Sequence, residues 1–211
     1  MNHLLHYEKF ARKKSKIIPR LIIILGTIVF IVLLSILVFN FVIKNSEHKT
    51  SISDLQRHWN AYDYEAVYKL SNDILIENPF NNTALTYHGY SAFYLAVSQI
   101  DTAMSQSFLD EAINNMRNAL LNAKHSLIPQ LEYMLGKAYF YKNTITSYYY
   151  ADLAVKYLVS ARKHGYKADD IPEYLGLSYA ALGQTMESIS AFTEALLIRE
   201  SDTLLLSIAE Q

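Results

Sequence analysis

"YLGLSYAALGQTMESISAFTEAL", residues 174–196, decides the fold. Leu175-Gly176 is followed after two residues by Tyr179, Gly183 marks a turn, and Ser188-x3-Phe192-x2-Ala195 completes the stretch. Spacings of three and four keep these side chains on one face of a helix on either side of the turn. The small Gly176 and Ala195 allow two antiparallel helices to approach closely, and Tyr179 and Phe192 fill the space toward a neighbouring helix pair.

The pattern recurs upstream. Leu135-Gly136-x2-Tyr139 is followed by Ala154-x3-Leu158-x2-Ala161, and Gly89-x2-Ala92 by Ala112-x3-Met116-x2-Ala119. Before these, Ala66-x3-Leu70 reads as a second helix ending near Pro79, with "SDLQRHWNAY" as its first helix and Ser53 and Gln56 spaced as a capping box. Two connections between paired helices are long, through "VSQIDTAMSQSF" and through "NTITSY", and Asp73 stands where the first unit would otherwise carry a small residue. In "SYYYA", the register of Ala154, Leu158 and Ala161 puts Tyr150 toward the core, Tyr148 at its boundary and Tyr149 outward, provided the helix reaches back that far.

On these residues the sequence resembles the tetratricopeptide repeat, whose pattern is L-G-x2-Y on a first helix and A-x3-F-x2-A on a second. The resemblance implies an all-α, tetratricopeptide-like helical-repeat solenoid of about four units over residues 52–211. Asp202 opens a closing helix over 202–211, which either caps the last repeat or begins a further one; the cap is favoured. If it is not a cap, Leu204, Leu205 and Ile208 form a second interface.

Ahead of the repeats, the charge-free stretch "LIIILGTIVFIVLLSILVFNFVI" begins at Leu21 and ends at Ile43. As a helix it spans about 34 Å at roughly 1.5 Å per residue, enough for a hydrocarbon core of about 30 Å. It is too long for the apolar part of a signal peptide and lacks a small-residue cleavage site, so it reads as an uncleaved N-terminal transmembrane anchor. Lys9, Arg12, Lys13, Lys14, Lys16 and Arg20 precede it, whereas Lys44 and Lys49 follow. This bias keeps residues 1–20 in the cytoplasm and sends the bulk of the chain to the other side, joined by a polar tether over 44–51.

The 211 residues carry a net charge of −1 and no cysteine, which removes disulfides, thiolate metal sites and cysteine nucleophiles from consideration. "GLSYA" falls one residue short of a G-x-S-x-G nucleophile elbow and sits inside a repeat helix. None of the seven histidines forms a metal-binding spacing in the folded region, and each reads as a surface or partly packed residue. Asp110-Glu111 and Asp169-Asp170 read as acids beside helix starts, favourable to the helix dipole. "NNT" at Asn81 has the form of a glycosylation sequon. No phosphate loop is present and the basic head abuts the apolar stretch, so no catalysis, cofactor, metal or nucleic acid is expected.

The resemblance also implies a concave groove, lined by the first helix of each unit, that grips a protein partner or peptide segment. In register around the signature glycines, its candidates are Thr86, Tyr90, Phe93 and Tyr94; then Tyr133, Lys137, Phe140 and Tyr141; then Glu173, Leu177, Ala180 and Ala181. Tyr90, Tyr133 and Tyr141 are expected to be exposed. With Lys137 as its one cation, this surface suits apolar or aromatic segments better than a terminal carboxylate. The expected function is a membrane-anchored, extracytoplasmic scaffold in an envelope complex, such as a secretion or assembly apparatus or the periplasmic collar of the flagellar motor. A periplasmic chaperone or a ligand-sensing subunit holding peptide in the same groove is the alternative.

Overall fold

A computed structural model describes residues 17–146, 149–199 and 201–211, with side chains described for residues 25–40 and from residue 52 onward. The basic head up to Lys16 and Tyr148 lie outside the described residues. Helix α1 (Ile17–Asn60) is followed by α2 (Tyr64–Glu77), α3 (Asn82–Ser98), α4 (Thr102–Leu121), α5 (Ile128–Thr146), α6 (Ala151–Lys163), α7 (Ile171–Ala181), α8 (Thr185–Ile198) and α9 (Asp202–Ala209). The chain divides into two units, residues 1–48 and 49–211.

In the first unit, the described part of α1 is apolar on every face. Its large side chains from Leu25 to Phe39 are all exposed, and Ser35 Oγ donates back to the Ile31 carbonyl at 2.8 Å, which satisfies the hydroxyl within the helix. Over the described residues alone, no helix is long and apolar enough to cross a membrane. The described side chains there cover only residues 25–40, the middle of the stretch read above as an anchor. Residues 44–51 are helical within α1, so no helix starts at Ser53, where the capping box was expected.

The second unit is a stack of antiparallel helices. Successive helices from α2 to α9 pack pairwise, and α3, α5 and α7 also touch in series, so first helices form one layer and second helices the other. The signature glycines lie at the crossings. A Cβ on Gly89 would stand 2.6 Å from Met116 Cγ, one on Gly136 2.6 Å from Leu158 Cγ, and one on Gly176 2.6 Å from Phe192 Cδ1. Each glycine is the hole for the large residue of the second helix, and Met116, Leu158 and Phe192 are buried as a result. Each such burial contributes about 1.5–3 kcal/mol.

Local chemistry sets the ends. Asp63, Asn81 and Asp101 cap α2, α3 and α4 by accepting from the backbone N–H of Ala66, Ala84 and Met104 at 3.1, 3.0 and 2.8 Å. Gly165 and Gly183 take φ of +88° and +70° after α6 and α7, where the following N–H groups of Tyr166 and Gln184 close back on Ala161 and Tyr179.

The extra residues of the middle units lengthen helices instead of connections. The turn between α3 and α4 is only residues 99–101, because Asp101 caps α4 early and Ser105 Oγ ties it to the Ala96 carbonyl at 2.9 Å. Asp110 and Glu111 consequently sit in the middle of α4 instead of at its start, and they pair with Lys142 and His88. Tyr150 is the residue before α6, half-buried, with its N–H on Asn143 Oδ1 at 3.0 Å; Tyr149 is exposed. At the other end α9 buries Leu204 against Phe192 and Ala195, with Ile208 partly buried and Leu205 exposed.

Gly136→Val places two methyl groups where Leu158 already stands and should cost about 2 kcal/mol. The loss should appear as a lower urea midpoint in circular dichroism; an unchanged midpoint would mean that α5 and α6 do not cross this closely.

Candidate functional site

The layer of first helices carries a continuous belt of aromatic rings. Tyr94 stacks on Tyr64 at 4.4 Å between centroids, and Trp59 meets Tyr64, Tyr87, Tyr90 and Tyr94 at 5.5–5.9 Å. Phe93 meets Tyr141 edge-on at 5.7 Å, Phe140 meets Tyr174 at 4.9 Å, and Tyr133 stacks on Tyr166 at 4.7 Å. Rings from successive units are long enough to touch across the groove, and such pairs are favoured beyond their area alone.

That contact corrects part of the expected binding surface. Tyr90, Phe93 and Tyr133 are only 3%, 2% and 9% exposed, because Trp59, Tyr141 and Tyr166 lie over them. Thr86 is buried too, its hydroxyl donating to the Asn82 carbonyl at 2.8 Å. Tyr94, Lys137, Phe140, Tyr141, Glu173, Leu177, Ala180 and Ala181 remain partly accessible. Leu177, however, packs toward the Phe192–Leu204 cluster, and Glu173 is engaged by Arg199 at 2.8 Å.

The charge in the belt is internally matched. Tyr133 Oη donates to Asp170 at 2.7–2.8 Å, Lys137 Nζ donates to the same carboxylate at 3.0 Å, and the ammonium also lies over the Tyr133 and Tyr174 rings. Lys137 is thus already paired and offers little to an incoming carboxylate. Tyr141 and Tyr174 approach hydroxyl to hydroxyl at 3.3 Å. Burial, and then the bond to Asp170, raises the Tyr133 phenol; burial, and then the bond to Tyr141, raises that of Tyr174.

A second polar cluster lies between α2, α3 and α4. His88, 2% exposed, meets Ser71 Oγ at 2.9 Å through Nδ1 and Glu111 at 2.9 Å through Nε2, and it stacks on Tyr68. Tyr68 Oη donates to the other Glu111 oxygen at 2.6 Å; burial and this bond raise its pKa to about 12. The serine, histidine and glutamate stand in the order of a hydrolytic triad, but Ser71 is fully buried and its hydroxyl donates to the Tyr68 carbonyl. This cluster joins helices and presents no nucleophile.

The sequence reading missed Trp59, Tyr166, Asp170 and Tyr174. Asp170 lies six residues before Gly176, as Gln130 and Thr83 do before Gly136 and Gly89, and Tyr174 and Tyr87 both lie two before their glycines. The same face therefore extends further toward the helix N-termini than the span from three residues before to five after each glycine.

No family model matches the chain, nor does any curated protein. Among solved structures, a MamA AMB-1 structure matches with a TM-score of 0.59 at 19% identity, covering 76% of this chain and 84% of that one. MamA MSR-1 matches at 0.58 and 19%, covering 77% and 81%. TTC0263, a thermophilic tetratricopeptide-repeat protein in Thermus thermophilus, matches at 0.51 and 17%, covering 77% and 79%. At these identities the likeness shows the fold, an all-α solenoid of tetratricopeptide type.

Tyr68, Tyr90, Tyr133 and Tyr174 all have folded-state pKa values raised above the unfolded 10.0. The stability they contribute is therefore whole below pH 10 and is lost as pH rises through the folded values. An alkaline titration should show a fraction of tyrosinate absorbance that develops at about pH 12 or above, together with loss of helical signal. Ionisation of every tyrosine in one step near pH 10, with the helices intact, would contradict this packing.

Proposed function

We propose that this chain is a membrane-anchored scaffold whose repeat unit stands outside the cytoplasm and holds protein partners on the aromatic layer of its first helices. Residues 21–43 cross the bilayer in this reading, and the basic head keeps residues 1–20 in the cytoplasm.

The observation that carries it is the exposure of α1. Every large apolar side chain from Leu25 to Phe39 is at least 51% exposed. Leaving such side chains in water forgoes about 1.5–3 kcal/mol each, whereas lipid solvates a helix that is apolar all round. The solenoid fold supports the scaffold half of the reading. Tyr94, Phe140 and Tyr141 offer half-buried rings held in place by their neighbours, which present contact area at little entropic cost. We assign no catalytic step to this surface. The setting is an envelope complex, for which a secretion or assembly apparatus and the flagellar-motor collar are the architectural candidates.

Two measurements test it. A reporter active only in the cytoplasm, fused after Gln211, should stay silent; activity there would reverse the orientation. A photo-crosslinker placed at Tyr94 or Tyr141 in living cells should capture one or two stoichiometric proteins. Capture of many unfolded chains would make the protein a chaperone, and capture only from Leu205 would move the interface to α9.

A further inference from the structure

The buried positions of the second helices fall in one register. Val67-x3-Ser71-x2-Ile74 of α2, Ala112-x3-Met116-x2-Ala119 of α4, Ala154-x3-Leu158-x2-Ala161 of α6 and Ser188-x3-Phe192-x2-Ala195 of α8 are all buried. In α2 this register is one residue later than Ala66 and Leu70. Two residues beyond the third member stand Ile76, Leu121, Lys163 and Leu197, each the last or next-to-last residue of its helix. Ile76, Leu121 and Leu197 are 72%, 80% and 85% exposed, and Phe80, in the turn after α2, is 83% exposed. A single exposed leucine is ordinary, but recurrence at one position of three units makes a row.

The row has a definite place. Second helices run antiparallel to first helices, so their C-terminal ends share one edge of the repeat unit with the starts of α3, α5 and α7. The chain enters at the same edge, because Leu55 of α1 packs with Ile74, near the end of α2, and Ala84, near the start of α3. Leu55 stands only twelve residues after Ile43, where the apolar stretch ends. Twelve residues reach about 18 Å as a helix and no more than about 43 Å extended. Charge then separates the two edges. Lys124, Lys163 and Lys167 are exposed on the near one, with no ion pair among the described residues, and Glu77, Asp169 and Asp202 bring it close to neutral. The opposite edge, residues 61–65, 99–104, 147–152 and 182–187, carries Asp63, Glu65, Asp101, Asp152 and Glu187 and no lysine or arginine. It also exposes apolar side chains, Ile100 and Tyr149 among them, but only beside acids.

We propose that the near edge seats on the surface of the bilayer from which the chain emerges. Ile76, Phe80, Leu121 and Leu197 enter the headgroup layer, and the three lysines meet anionic headgroups. This rests on the anchor reading, which puts a bilayer within reach of the edge. The acids hold the opposite edge in water, since anionic headgroups repel them. Tyr94 and Tyr141 lie in the later halves of α3 and α5, away from the seated edge, so the partner surface stays open.

The chain has no cysteine, so single cysteines can carry a probe. The test reconstitutes the full chain in phosphatidylcholine vesicles containing phosphatidylglycerol, with an environment-sensitive fluorophore on Leu121→Cys, Leu197→Cys, Ile100→Cys, Tyr149→Cys or Leu33→Cys. Lipids spin-labelled near the headgroup or deep in the acyl chain act as quenchers. The probes at 121 and 197 should shift to the blue and be quenched by the shallow label, those at 100 and 149 should remain in water, and the deep label should quench the probe at 33. Combining Lys124→Glu, Lys163→Glu and Lys167→Glu should reduce quenching at 121 and 197 with the helical signal intact; unchanged quenching would contradict the electrostatic contact. If the probe at 33 is quenched while all four edge probes stay in water, the proposal fails and the anchor stands. Equal quenching at all four would also overturn it, because the contact would not belong to one edge. If the deep label leaves the probe at 33 bright, the anchor reading falls and the proposal falls with it.

Discussion

The close crossings of α3 with α4, α5 with α6 and α7 with α8 each depend on one missing side chain. Gly89, Gly136 and Gly176 each lie beneath Met116, Leu158 or Phe192, with no room for a Cβ between them. Because the helices of a pair touch there, the large residue is buried at the pair's centre, and the pair becomes a slab thin enough to stack. Stacking then brings α3, α5 and α7 side by side. The aromatic belt is a consequence: rings projecting from neighbouring first helices meet only because the helices are held at that spacing. A fold of this kind is built from nearest-neighbour terms, so a change at one crossing is felt first by the rings on either side of it.

The belt divides into two chemical regimes. Around α5 and α7, Asp170, Tyr133 and Lys137 satisfy one another, and Tyr141 and Tyr174 share a hydroxyl contact. Around α1 and α3, Trp59 touches four tyrosines, but the Tyr90 hydroxyl has no hydrogen-bond partner among the described residues. Asp170 accounts for the difference. At the matching register position the preceding units carry Gln130 and Thr83, neither of which can attract both an ammonium and a phenol as a carboxylate does.

How far the sequence could be read follows from the range of the interactions. Glycine, alanine and aromatic residues at helical spacing are a local signal, and they place the crossings at Gly89, Gly136 and Gly176 correctly. The ends of helices were less legible. Asp101 caps α4 earlier than the spacing of Ala112 and Met116 suggests, so residues read as a long connection become helix, and Asp110 and Glu111 move to mid-helix. The burial of Tyr90, Phe93 and Tyr133 was not legible either. Their register does put them on the first-helix layer, but their covers are Trp59 of α1, Tyr141 of α5 and Tyr166 of the connection between α6 and α7, and no local spacing encodes such a meeting of distant rings. His88 illustrates the same limit: it reads as an isolated histidine, and only the meeting of α2, α3 and α4 gives it Ser71, Tyr68 and Glu111.

The accessible remainder of the belt constrains the kind of partner it favours. Its one lysine is already paired with Asp170, and Glu173 is held by Arg199. A partner that relied on charge would have to break these pairs and leave a desolvated charge behind, a penalty larger than a rim contact returns. Tyr94, Phe140 and Tyr141 carry no such cost: each is fixed by a neighbouring ring and presents area together with, for the tyrosines, a hydroxyl. On the proposed reading, selectivity on this face would come from the shape of apolar and aromatic side chains. Salt should change the rate of encounter more than its strength.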